Sequence, residues 1–395
     1  MSNLKGYSWR NQINLIIVAQ FIVIAVLGMS DPYWPLILAS FNSFEATTLQ
    51  YWSGAIYMAP LLAIIFTTLF WVKIGERIGY KKMILRAGFA LAASQWALIF
   101  FHKPLLVFLI RLIQGAFAGF TTATQVWSLS IAPINVHSQI VGRIQAATAG
   151  GTIVGPVCGG ILANYFGYLS IFITAGFTCL LISIGLIYFL EETRNKQSLK
   201  GKLTKIKKIC ANERFLLSLI CLTQIAKWMS KPFFALYVAK QLHASTLTLG
   251  LIYALIALAM SLTTPSVGWI VDRKSPRFVF TKSALIISFL LCGAVQWCYA
   301  YISHAYWAFI LSIVLGISLG IIALLLFSFL LKGAEESSRG KLVGLANTTL
   351  KIGNLFGIII GTIVQAQYNF FISFLSIGSC YFALAVLTTR FKQTN

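Results

Sequence analysis

"MSDPYWPL" occupies residues 29–36, and "MSKPFFAL" occupies residues 229–236. Each string runs Met-Ser, a charge, Pro, two aromatic residues and, two further on, a Leu. The charge is Asp31 in the first string and Lys231 in the second. Two further echoes follow in order. "VKIGERIGYKK" (72–82) matches "GWIVDRKSPR" (268–277), and "VGRIQAATAGGTIVGPVCGG" (141–160) matches "VGLANTTLKIGNLFGIIIG" (343–361). The offsets are 200, 196 and 202. Three echoes in order at nearly one offset predict a duplicated chain. Its halves are residues 1–190 and 213–395, joined by a charged linker over 191–212.

The unit being duplicated is a set of apolar runs. Of the 395 residues, 58% are hydrophobic and 10% are charged. A run of about 20 apolar residues crosses a hydrocarbon core of about 30 Å. Twelve such runs are predicted: 13–38, 49–71, 83–101, 105–128, 141–163, 169–190, 214–239, 246–271, 278–300, 304–331, 342–366 and 369–389. They are too long for barrel strands, so they read as helices. An all-α membrane protein of two pseudo-symmetric six-helix bundles follows. Six spans per half is an even number, so the copies share one orientation, with a substrate site expected between halves near the midplane.

The net charge of +22 points to topology rather than to nucleic acid. Among the 31 Lys and Arg, only Lys103 and Lys240 are assigned to the outer side, while Arg111, Lys227, Lys231 and Lys351 are placed within spans. The rest gather on the side of the termini, which predicts cytoplasmic termini. Basic stretches such as "KLTKIKK" (202–208) serve as topology anchors in this reading. The seven cysteines are scattered without metal-ligand spacing, so neither metal nor cofactor is expected. The first apolar run is too long for a signal-peptide core and lacks a small-residue cleavage site.

Three motifs carry a family resemblance. "GTIVGPVCGG" places Gly151, Gly155, Pro156, Gly159 and Gly160 in span 5, glycines every four residues that clear a groove for a neighbouring helix. The loop after span 2 carries Glu76, Arg77, Gly79 and Lys81, and its copy carries Gly268, Asp272 and Arg273. "RLIQGAFAG" places Arg111, Gln114 and Gly115 in span 4. Together these resemble the major facilitator superfamily, and within it the twelve-helix drug:proton antiporters. The resemblance implies alternating access and a charge cluster latching the inner gate at the 2–3 loop, and its Arg-x-x-Gln-Gly segment falls at Arg111, Gln114 and Gly115. Val72 departs from the family's leading Gly in that loop.

The embedded charges suggest roles. Of the nine acids, only Asp31 falls inside a span. It is the candidate proton carrier, with Arg111 as partner. Asp31 and Lys231 both sit roughly 10–12 Å below the outer interface, so a pair of opposite sign is expected to attract when the outer side closes. Lys227 and Lys231 are one turn apart on one helix face. Four cations against one acid favour an anionic substrate. Tyr33, Trp34, Tyr57, Gln114, Gln125, Trp127, Gln224 and Lys351 complete the candidate binding set. The expected activity is proton-coupled efflux of a small organic molecule by a bacterial inner-membrane protein acting as a monomer. Two rivals stay open: an inward anion:proton symporter or uniporter, and a non-transporting receptor on the same scaffold. An enzyme is not expected, because no nucleophile–base pair or phosphate loop appears in the spans.

Overall fold

The computed structural model describes residues 8–41, 44–191, 210–274, 278–332 and 336–391. Among these residues the fold is all-helical. The first half contains α1 (Trp9–Ser30), α2 (Trp34–Phe41), α3 (Ala46–Ile78), α4 (Tyr80–Phe100), α5 (Pro104–Ala116), α6 (Phe120–Ile131), α7 (His137–Phe166) and α8 (Tyr168–Phe189). The second contains α9 (Ala211–Met229), α10 (Phe234–Lys240), α11 (Thr246–Lys274), α12 (Phe278–Tyr301), α13 (Ala305–Lys332), α14 (Glu336–Gln367) and α15 (Phe370–Thr389). Among the described residues, eleven segments are long and apolar enough to span a membrane, α1 with α2 and α5 with α6 each counting as one. The twelfth expected span, α9 with α10, is diluted by Glu213, Arg214, Lys227, Lys231 and Lys240. Most of the expected linker, 192–209, lies outside the described residues.

Compact packing divides the chain into two units. One comprises Met1–Trp34 and Ala59–Thr204; the other comprises Pro35–Met58 and Lys205–Asn395. The first-half segment 35–58 thus packs with the second half. The division falls inside α3, beside Pro60, which removes a helix hydrogen bond there.

Each unit is held by the same glycine ladder. In the N-terminal unit, a Cβ on Gly151 would lie 2.8 Å from Phe21 O, and one on Gly155 or Gly159 would overlap Ala25 O or Met29 O. In the C-terminal unit, a Cβ on Gly353 would lie 2.6 Å from Cys221 O, one on Gly357 2.6 Å from Ile225 O, and one on Gly361 would overlap Met229 O. Thus α7 lies against α1 as α14 lies against α9. Without an aqueous hydrophobic drive between helices, such close approach is what gives dispersion its purchase.

The symmetry extends further. A Cβ on Gly115 would lie 2.5 Å from Pro60 Cα, and one on Gly316 2.5 Å from Ile256 O. Trp96 packs edge-on to Phe177 at 5.3 Å, and Trp297 to Phe382 at 4.8 Å. Lys81 Nζ donates to the carbonyls of Ile187 and Leu190 at the end of α8; Lys282 Nζ donates to those of Thr389 and Phe391 at the end of α15. A cation on the last carbonyls satisfies orphan acceptors and opposes the helix dipole. Large apolar side chains such as Phe66, Leu181 and Val386 point outward, as a lipid solvent allows. Tyr301, Tyr306 and Trp307 are exposed around the α12–α13 turn, where an interfacial aromatic belt is expected.

Candidate substrate and coupling site

The first span of each half is broken at the duplicated phrase. Between α1 and α2, Asp31–Tyr33 form one 3₁₀ turn. Between α9 and α10, residues 230–233 form a turn in which Lys231 N donates to Trp228 O at 3.2 Å. Pro32 and Pro232 supply the cause, since each removes a donor from the helix ladder. Asp31 and Lys231 therefore stand at equivalent helix breaks, one in each unit.

In the N-terminal unit, the break feeds a cluster of hydrogen-bond donors. Arg111 Nη1 donates to Gln114 Oε1 at 2.6 Å, and its guanidinium lies 4.8 Å from the Trp34 ring. Trp34 is fully buried and packs on Phe172 at 5.5 Å. Gln114 Nε2 and Trp34 Nε1 are buried without a protein acceptor. Arg111 thus consumes the amide oxygen of Gln114 and leaves its NH₂ over. Asp31, three residues before Trp34, is half-buried.

In the C-terminal unit, aromatic rings gather at the break. Lys231 Nζ lies 5.0 Å from the Tyr253 ring centroid, 5.4 Å from Tyr57 and 5.5 Å from Trp228. Lys227 and Gln224, one and two turns earlier, are half-buried. Lys351 is exposed on α14, and Gln125 is half-buried on α6.

Two other members of the expected binding set are enclosed in packing. Tyr33 is fully buried, and its hydroxyl donates to Pro156 O at 2.6 Å. Trp127 sits in the core with Ile16, Val23 and Ala87, and its indole donates to Glu191 O at 3.1 Å. Among the loop residues, Gly79 has φ +97 and turns the chain from α3 into α4, a conformation that favours glycine. Arg77 is exposed. Gly268 lies 3.7 Å from Leu324 Cδ1, measured from where a Cβ would stand. The side chains of Glu76, Asp272 and Arg273 lie outside the described residues. Gly160 is buried beside the ladder.

The sequence pattern missed a second discontinuity. Span 4, expected as one run over 105–128, is two helices, α5 and α6. Gly119 there takes φ +119. The freed carbonyls are collected from neighbouring helices: Trp71 Nε1 donates to Ala116 O at 2.6 Å, and Arg86 Nη2 donates to Phe117 O at 3.3 Å and Ala118 O at 3.1 Å. The Arg86 guanidinium stacks 3.4 Å from the Trp71 ring centroid. Also missed was a polar node: Gln20 Nε2 donates to Thr121 Oγ1 at 2.8 Å and Thr148 Oγ1 at 3.1 Å, and Thr124 Oγ1 donates to Gln20 Oε1 at 3.0 Å. Its sequence signal was a lone Gln in an apolar run, which carries a partner demand in lipid.

Comparison with known proteins agrees with this architecture. The sequence profile of the Major Facilitator Superfamily matches residues 16–358 and, separately, 216–394. The staphyloferrin B transporter of Staphylococcus aureus (strain NCTC 8325 / PS 47) is 23% identical over 386 residues, covering 94% of this chain and 90% of that protein. Multidrug resistance protein MdtG of Salmonella arizonae is 24% identical, covering 92% and 91%. The multi-drug resistance efflux pump PmrA homolog of Lactococcus lactis is 23% identical, covering 94% and 92%. Among solved structures, the nucleoside transporter NupG superposes with a TM-score of 0.77 at 14% identity, over 96% of this chain and 99% of that one. A human organic anion transporter does so with a TM-score of 0.63 at 14% identity, over 97% and 100%. Duplicated bundles, broken first spans and a profile match across nearly the whole length converge on one assignment: the chain belongs to the Major Facilitator Superfamily and is a multi-pass membrane transporter, not an enzyme.

Proposed function

We propose that this transporter exports a small organic anion across a bacterial inner membrane against proton influx, by alternating access. The observation that carries the anion preference is a pair of buried donors beside Arg111, Gln114 Nε2 and Trp34 Nε1, that have no protein acceptor. Gln114 Nε2 and Trp34 Nε1 offer donors at one place, and the Gln114 amide oxygen there is already taken by Arg111. A carboxylate meets such a set with charge-assisted bonds. Lys227 and Lys231 add positive charge at the equivalent break of the other unit. The relatives named for staphyloferrin B and for drugs support outward transport of small organic molecules, and an anionic metabolite or siderophore suits these donors and cations better than a cationic drug. Residues 1–190, apart from the segment 35–58 that packs with the second half, and residues 213–395 act as the two moving bundles, with both termini cytoplasmic and one chain sufficient.

Asp31 carries the coupling proton in this proposal. Desolvation disfavours the charged form of a carboxylate, and access to water or a cation favours it. Alternating access switches those surroundings once per cycle. Tyr33 and Trp127 drop out of the substrate contacts, because their polar atoms are spent on backbone carbonyls.

The test is proton movement in liposomes holding a pH-sensitive dye. Wild type and Asp31→Asn are challenged with anionic metabolites and cationic drugs. An anion is expected to drive proton flux in wild type and not in the variant. Coupling that survives Asp31→Asn assigns the proton elsewhere. Flux driven only by cations overturns the anion preference.

A further inference from the structure

Three rings surround the Lys231 ammonium at 5.0, 5.4 and 5.5 Å, within the roughly 6 Å over which a ring face attracts a cation. Clusters of rings at this spacing are the usual protein answer to a quaternary ammonium. Here the cation is the protein's own side chain. All four residues belong to the C-terminal unit.

The rings hold their places without the lysine. Trp228 is seated on α14, since a Cβ on Gly357 would lie 2.9 Å from Trp228 Cβ. Tyr253 meets Phe234 edge-to-face at 5.7 Å and 83°, and Phe234 in turn meets Tyr299 at 5.4 Å and 89°. Tyr57 is buried, at 3% exposure. Truncating Lys231 therefore leaves the three rings standing. Trp228 and Tyr253 are half-buried, so the cluster keeps an open side. Tyr57 and Tyr253 are themselves duplicates, at the 196-residue offset of the 2–3 loop echo. Trp228 has no such twin, because Gly28 stands at its equivalent. The ring cluster is thus built in one unit only.

We infer that Tyr57, Trp228 and Tyr253 form an organic-cation site which Lys231 occupies as a tethered ligand, and that this occupancy bars quaternary ammonium compounds from it. The inference rests on the anion-export reading, which it deepens: the chain keeps the aromatic furniture of a cation carrier and fills it internally. Lys231 then determines specificity by exclusion as well as by charge. Rejection of a wrong ligand by a built-in competitor is a standard route to selectivity.

The experiment is equilibrium binding of radiolabelled tetraethylammonium to purified, detergent-solubilised full-length protein. Wild type is expected to show no saturable binding. Lys231→Ala is expected to bind at least about tenfold more tightly, the size of a desolvated cation–π contribution. Adding Tyr253→Ala to that variant should abolish the gain. Lys231→Met removes the charge but still fills the space, and is expected to behave as wild type. Each variant is first checked for a monodisperse elution profile, and Lys231→Ser replaces Lys231→Ala if the latter does not purify. The inference falls if the folded Ala or Ser variant binds nothing, if Tyr253→Ala does not reduce binding, or if Lys231→Met binds as well as Lys231→Ala. Binding is read without transport or a pH gradient. A failed cage therefore leaves the export reading intact, and a failed export assay leaves the cage intact.

Discussion

Gly54 of α3 and Thr362 of α14 meet so closely that a side chain on Gly54 would overlap Thr362: its Cβ would lie 2.8 Å from Thr362 Cγ2. This contact fastens the segment 35–58 into the C-terminal unit. Overpacking such a site costs typically about 1–3 kcal/mol. Gly54→Ala is expected to lower transport several-fold with little change in expression. Thr362→Ala added to it should restore part of the rate, because it removes the two nearest atoms, Oγ1 and Cγ2, and leaves only Cβ to shift. Transport in liposomes decides; a double variant no better than Gly54→Ala alone would show that another contact limits the cycle.

The glycine ladders predict an ordered stability series. Gly155→Leu and Gly357→Leu force a side chain against a neighbouring backbone and should lower the melting temperature in detergent by many degrees, or prevent folding. Gly142→Ala and Gly185→Ala meet nothing within 4 Å and should be neutral or stabilising, since Ala favours helix over Gly by about 0.5–1 kcal/mol. Thermal unfolding of the four variants reads the ranking, and equal losses in all four would deny the ladder its role.

Lys81 and Lys282 should behave as a matched pair. Each ammonium closes the carbonyl end of a helix, α8 in one unit and α15 in the other. Lys81→Met and Lys282→Met are each expected to lower stability by about 0.5–1 kcal/mol, with the loss seen in thermal melts. If Lys81→Met impairs transport far more than Lys282→Met at equal stability, Lys81 has a gating duty beyond capping.

Arg111 is expected to resist replacement by lysine. A guanidinium reaches Gln114 Oε1 while lying over the Trp34 ring, and a compact ammonium cannot reproduce that planar geometry. Arg111→Lys should raise the half-saturating anion concentration about tenfold in the proton-flux assay. An unchanged value would place the anion elsewhere.

The sequence made the fold legible because duplication and hydropathy are one-dimensional signals. The helix breaks at Asp31 and Lys231 were equally readable, each marked by a proline inside an apolar run. The break at Gly119 was not. No proline flags it, and its carbonyls are held by Trp71 and Arg86, more than 30 residues away in the chain. Arg86 stands near the start of the expected span 83–101, where the sequence alone gives a basic residue no partner to name. Tyr33 and Trp127 were read as cavity residues from their type and position, but what their polar atoms bond to depends on helix packing. The rings around Lys231 come from three separate stretches of chain, so only the folded unit brings them together.

The ladder of small residues is nearly the same in both halves, whereas the residues at the two helix breaks differ in sign and in aromatic content. Shape and chemistry have thus been inherited separately. A duplicated ancestor supplied the geometry once, and later divergence had only a handful of side chains to rewrite. On the proposed reading, new cargo calls for edits at a few side chains around the breaks and at Arg111 and Gln114, while the backbone contacts between the ladder helices remain untouched.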